Sequence, residues 1–160
     1  MKEQKTNVMR ILEQKKIRYT AHEYPHRDAP VDGASVAKLI GRDPACVFKT
    51  LVTVGASRAN YVFVVPVLKE LDLKKAARAV GEKSVAMIHV AEITPLTGYV
   101  RGGCSPVGMK KQFRTVFDES CLAQETMLVS AGKIGAQIET EPEQLIALVR
   151  GTTADITVEE

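Results

Sequence analysis

Two runs rich in β-branched and aromatic residues, 47–54 and 61–68, lie close together with only the polar linker 55–60 between them. Runs of this length and composition, joined by so few residues, pair as an antiparallel hairpin, and the rest of the chain must pack around it. The second run is the longest apolar stretch, yet it is less than half of a membrane span and is interrupted by Pro66, so no membrane segment is expected.

Short helices and further strands flank the hairpin. Thr6 precedes Val8, Ile11 and Leu12 at helical spacing, which predicts an amphipathic opening helix to about Lys16 that lies as a lid on the core. Residues 17–24 alternate as a short strand, with Ile17, Tyr19 and Ala21 on one side, and a loop over 25–30 follows, carrying His26, Arg27 and Asp28. Asp32 or Gly33 caps a helix through Ile40 with Val36, Leu39 and Ile40 buried, and Gly41 stops it. Asp72 starts another helix, with Leu73, Ala76, Ala77 and Val80 on one face and Gly81 behind. Residues 84–88 read as a strand and 90–96 as a short helix or turn.

Further strands are expected at 114–117, 126–129 and 137–139, the last two joined through Ser130, Gly132 and Gly135. Thr140 and Glu143 form a capping-box pattern with Pro142 in the first turn, leading a helix that buries Leu145, Ile146, Leu148 and Val149; the tail through Ile156 adds an edge strand. Strands and helices interleave irregularly, so the expected fold class is α+β. It is a single domain over residues 1–160, built on one curved, mixed and mostly antiparallel β-sheet flanked by short α-helices.

The 22 basic and 19 acidic residues leave a net charge of +3, which permits a nucleic-acid partner without declaring one. The densest basic stretches, Lys74, Lys75 and Arg78 and then Lys110, Lys111 and Arg114, are separated by apolar residues and read as solvated faces of structured elements. Cys46, Cys104 and Cys121 are odd in number and lack a Cys-x-x-Cys spacing, which indicates neither a disulfide framework nor a zinc knuckle and fits a reducing cytoplasm. His22 and His26 are four apart but separated by Pro25, a poor setting for a metal pair. Phosphate-loop and dinucleotide fingerprints are missing.

Three constellations can carry chemistry. Lys49 interrupts an apolar strand on the face opposite Phe48 and Thr50, so its ammonium either enters a pocket or snorkels to an edge. The stretch 97–108 holds four glycines and Pro106; it is either a plain connector or a turn whose successive amides bind a carbonyl or anionic oxygen. Ser130 ends a strand among small residues, without the elbow motif of a serine nucleophile. Among the cysteines, only Cys104 has a neighbourhood that suggests function.

Read in order, Phe48-Lys49-Thr50, Leu71-Asp72-Leu73-Lys74, Thr97-Gly98-Tyr99 with 102–108, and 129–133 resemble the YbaK/EbsC family across nearly the whole chain. The opening 6–12 and the later His22-Glu23-Tyr24 resemble its Cys-tRNA(Pro) deacylase branch. The resemblance implies an editing domain related to the insertion domain of bacterial prolyl-tRNA synthetases. Such a domain acts in trans on the aminoacyl ester at the tRNA 3′ end, with no cofactor or metal and with neither DNA nor membrane as partner. It implies a cytoplasmic monomer or weak dimer that takes the acceptor end of aminoacyl-tRNA and docks on prolyl-tRNA synthetase or selects its tRNA alone. The family's essential lysine falls on Lys49, and its glycine loop on Gly102, Gly103, Ser105 and Pro106. Further pocket residues fall on Tyr24, Thr50 and Ser130. Lys49 and Gly103 are the catalytic candidates and the rest bind substrate. Cys104 departs from the aliphatic residue commoner in relatives. The implied reaction is removal of cysteine by attack of its own thiol on the ester. The competing readings are an Ala-tRNA(Pro) deacylase that uses water and a binding module without turnover.

Overall fold

The computed structural model describes residues 5–26 and 31–159. In the described chain, α1 (Asn7–Gln14) and β1 (Thr20–Glu23) precede α2 (Gly33–Ile40), and a 3₁₀ turn at Pro44–Cys46 leads into the hairpin β2 (Phe48–Gly55) and β3 (Asn60–Pro66). Then come α3 (Leu73–Val80), β4 (Val85–Met87), α4 (Val90–Thr97), β5 (Arg114–Asp118), β6 (Met127–Ser130), β7 (Ala136–Thr140), α5 (Pro142–Leu148) and β8 (Thr152–Ala154). Among the described residues no helix is long and apolar enough to cross a membrane.

The fold is α+β, as expected, with the predicted hairpin at its centre: β2 and β3 pair antiparallel from Phe48↔Pro66 to Val54↔Asn60. The expectation of one curved sheet needs refinement. The strands form a five-stranded sheet in the order β4-β2-β3-β5-β8 and a three-stranded sheet in the order β1-β7-β6. A single parallel bridge, Val47↔Leu128, joins the two. The β3–β5 and β5–β8 pairs are parallel and the other four antiparallel, because the crossovers that lead into β5 and β8 carry helices.

The main core lies between the sheets and under α1, whose Val8, Met9 and Leu12 are buried with Phe48, Phe117, Val129 and Ile138. Thr6 caps this helix by accepting from the Met9 N–H at 3.2 Å. Deleting the Leu12 side chain, which is fully buried, would cost about 2–5 kcal/mol. A second core sits beneath α3, where Ala76, Ala77 and Val80 meet Phe63 and Val65.

Several local expectations fail for identifiable reasons. Leu39 is 49% exposed and Leu73 43% exposed, because Ala37 and Ala76 are the residues that fill the narrow spaces against their sheets. The capping box at Thr140 does not form: Thr140 ends β7 and its hydroxyl donates to the Arg18 carbonyl at 2.7 Å, so Glu141 takes the cap position. The strand predicted over 17–24 is paired only from Thr20 to Glu23. Leu68 lies beyond β3 and is exposed. In the loop 25–30, Arg27 and Asp28 lie outside the described residues. Within the two basic clusters, Lys75 donates to Asp155 and the Thr157 carbonyl, and Arg114 donates to the Val80 carbonyl at the end of α3.

Candidate active site

The outer edge of β2 is where the two sheets part, and the hydrogen-bond pattern specifies how. The Val67 N–H donates to the Val47 carbonyl and the Gly55 N–H to the Ala59 carbonyl, so the odd-numbered residues of β2 turn their amide groups toward β3. The even-numbered residues face outward. Ile88 donates to the Val52 carbonyl at 3.3 Å, after which the chain turns into α4 and leaves the edge. At the other end the Val47↔Leu128 bridge holds β6, which then splays away. Between these two contacts, Thr50 presents its N–H and C=O to no strand.

A cavity of about 430 Å³ fills this gap, within the roughly 300–1,000 Å³ of small-molecule sites. Six consecutive residues, Val47 to Val52, line it. That is possible only for a strand seen along its open edge, where both faces and the backbone are in reach. The three-stranded sheet contributes Ser130 and Gln137, which are register partners, and Tyr24 just beyond β1. From α2 come Gly33 and Val36, and from the β4–α4 corner Met87 and Ile88. Arg101, Gly102 and Cys104 close the remaining side.

Of the eight residues expected at the site, Lys49, Tyr24, Thr50, Gly102 and Ser130 line this one cavity. Lys49 is half-buried and has no hydrogen bond or ion pair among the described residues. Burial pushes its ammonium below the usual lysine range, and the charge of Glu70 offsets only part of that. Gly102 has φ +85°, a left-handed conformation that glycine adopts without strain, and this lets the loop turn its backbone to the cavity.

Gly103, Ser105 and Pro106 do not line the cavity. The Gly103 N–H is bonded within the loop to the Val100 carbonyl at 2.9 Å, so it is not open to a substrate oxygen in this state. Its lack of a side chain serves packing: a Cβ there would sit 3.0 Å from backbone atoms of Lys133 and Ile134. Ser105 is fully buried and its hydroxyl accepts from the Val107 N–H at 3.2 Å, while Pro106 is buried beside it. These three hold the loop's shape and set it against the turn after β6.

Gln137 is the residue that sequence reasoning missed, because a glutamine alternating within a short strand looks like an ordinary exposed position. It is 6% exposed, and its Oε1 and the Thr50 Oγ1 are buried without a hydrogen-bond partner among the described residues. Next to it, Glu139 is bound by His22 at 2.7 Å, by Arg42 at 3.0 Å and by Thr126, which ties β1, β6 and the start of β2's lead-in turn together behind the cavity. Burial alone would raise the Glu139 carboxyl; the hydrogen bonds from Thr126, His22 and Arg42 outweigh it and hold the carboxyl below the usual range.

Neither the thiol nor the serine in the wall is activated. Burial pushes the Cys104 thiol up to about 11, so it is protonated at neutral pH. The Ser130 hydroxyl accepts from the Gly132 N–H at 3.1 Å and has no bond to a histidine.

Residues 30–148 match the family model for the aminoacyl-tRNA editing domain. A protein of Enterococcus faecalis, named as a candidate Cys-tRNA(Pro)/Cys-tRNA(Cys) deacylase, EbsC, is 46% identical over 158 residues, covering 99% of this chain and 96% of its own. The crystal structure of a candidate trans-editing enzyme for prolyl-tRNA synthetase superposes with a TM-score of 0.81 at 27% identity, covering 96% of this chain and 99% of the other. A hypothetical protein at 23% identity superposes with a TM-score of 0.85 over 96% of this chain and all of its own, a likeness of fold alone. The match over most of the chain, the full-length relative and the shared architecture place this chain in the aminoacyl-tRNA editing family, in its YbaK/EbsC group.

Proposed function

We propose that the protein is a trans-editing deacylase that removes cysteine from mischarged Cys-tRNA(Pro). The observation that carries this reading is the convergence of the unpaired, desolvated Lys49 and the Gly102 turn on one cavity whose own thiol and hydroxyls are not activated. A site of this kind binds and orients; it calls for a nucleophile brought by the substrate.

In the reaction the thiol of the esterified cysteine attacks its own carbonyl carbon, forming a C–S bond. The tetrahedral intermediate then collapses, breaking the bond to the ribose oxygen, which leaves with the proton the thiol has lost. The products are tRNA and a cysteine thiolactone, and water opens the thiolactone to free cysteine. In this reading the Gly102 amide stabilises the developing oxyanion, and Lys49 anchors the terminal nucleotide through its phosphate. By this route the cleavage is formally a lyase reaction followed by hydrolysis. Ala-tRNA(Pro) has no thiol and survives even when bound. The tRNA is selected through prolyl-tRNA synthetase, because the chain's modest charge offers few phosphate contacts of its own.

Single-turnover deacylation of Cys-tRNA(Pro) and Ala-tRNA(Pro), with and without the synthetase, tests the reading. Cysteine should be released and alanine retained. Ser replacements at Cys46, Cys104 and Cys121 should leave turnover largely intact. Equal loss of both amino acids, or inactivity of the Cys104→Ser variant alone, would replace the substrate-thiol mechanism with one using water or the enzyme's thiol.

A further inference from the structure

Thr50 and Gln137 line the same cavity from opposite sheets, and each carries a buried side-chain oxygen, Oγ1 and Oε1, that lacks a partner among the described residues. A buried polar atom left in this state is destabilising, and folded proteins keep few without a use. An amide oxygen can only accept a hydrogen bond. The outward-facing Thr50 carbonyl at the open rung of β2 is another acceptor on the same strand. The missing partner is therefore a donor, and one with two or more hydrogens can serve both walls.

Among the described residues the cavity's charged lining side chains are Lys49 and Arg101, with no carboxylate, a lining unsuited to a metal ion. A cysteinyl ester offers three kinds of donor. Its thiol and the ribose hydroxyl each bring one hydrogen, and the thiol is a weak donor. Its α-amino group brings at least two. We infer that Gln137 and Thr50 hold the α-amino group of the bound aminoacyl ester, and so act as the residues that recognise an unblocked amino acid. This rests on the editing reading above. It also gives the substrate a fixed rotation about its Cα, which aligns the thiol with the carbonyl.

The test measures binding by calorimetry of 3′-(cysteinylamino)-3′-deoxyadenosine, a stable amide of the tRNA end, and of its 3-mercaptopropionyl counterpart, which lacks only the amine. The wild type should prefer the first by about tenfold or more, as expected for one or two hydrogen bonds. Gln137→Leu should erase the preference, and Gln137→Glu, which still accepts, should keep it. A wild type that binds the two within twofold, or binds neither, overturns the inference, as does Gln137→Leu with its preference intact. Deacylation of Cys-tRNA(Pro) assayed in parallel separates the two claims. Turnover without amine preference removes only the inference, whereas amine preference without turnover leaves it standing and removes the proposed activity.

Discussion

Thr50→Val should make the protein more stable and less active. The substitution keeps the shape of the side chain, removes a hydroxyl that is buried without a partner, and suits a strand. Relief of an unsatisfied hydroxyl amounts to about 1–3 kcal/mol; because Thr50 as a whole residue is only partly buried, the lower end of about 1 kcal/mol applies. A domain of this size moves by about 2–4 °C for each kcal/mol, so the melting temperature should rise by about 2–4 °C. Thr53→Val is the internal control. The Thr53 hydroxyl donates to the Tyr61 carbonyl at 3.0 Å, and its loss should cost about 0.5–1.5 kcal/mol. Thermal melts at neutral pH give both shifts, and single-turnover deacylation of Cys-tRNA(Pro) should show a fall of about tenfold for Thr50→Val. If Thr50→Val melts below the wild type, or if both variants shift the same way, the Thr50 hydroxyl has a structural partner and its assignment to the substrate is wrong.

Lys49→Met should abolish deacylation while raising the melting temperature at neutral pH, because it removes a desolvated, unpaired charge. The folded-state pKa lies below the unfolded one, so this gain should be full below the folded value and shrink as pH rises toward about 10.4; a gain that grows over that range would contradict it. Glu139→Gln should destabilise the protein near neutrality, and since the carboxyl is held below its unfolded value, the difference from wild type should fade as pH drops below about 4.3. A difference unchanged at pH 3 would show that the ion-pair cluster is not its source. Gly103→Ala should push the loop away from the Lys133–Ile134 backbone, with a stability loss of about 1–3 kcal/mol and a larger loss of turnover, measured by melts and by the same deacylation assay. An alanine variant as active as wild type would mean that this close approach does not position Gly102.

The periodic elements were legible from the chain alone. The hairpin, the caps at Thr6, Asp32 and Asp72, and the glycine stops at Gly41 and Gly81 are local signals, and each appears where the residues place it. Leu39, Leu73 and the Thr140 box were misread because tertiary packing decided them: an alanine fitted where a leucine was expected, and a strand continued through a residue suited to a cap. In the site, Lys49 and Thr50 were readable as polar interruptions of an apolar strand. Gln137 was not, since its meaning depends on a register with Ser130 and on a gap between sheets that no local pattern encodes. The glycine pair was legible as a feature but divided in role: Gly102 turns to the cavity and Gly103 to the neighbouring turn.

One strand serving two neighbours in succession has an architectural consequence. Because β6 leaves β2 after Val47 and β4 reaches it only at Val52, the width of the opening is fixed by where two partners let go, and not by the bulk of any one side chain. The two sheets share the main core, and the aperture lies where their strands part, so shifting a strand terminus by a residue resizes it. A scaffold of this type lends itself to retuning for amino acids of different sizes.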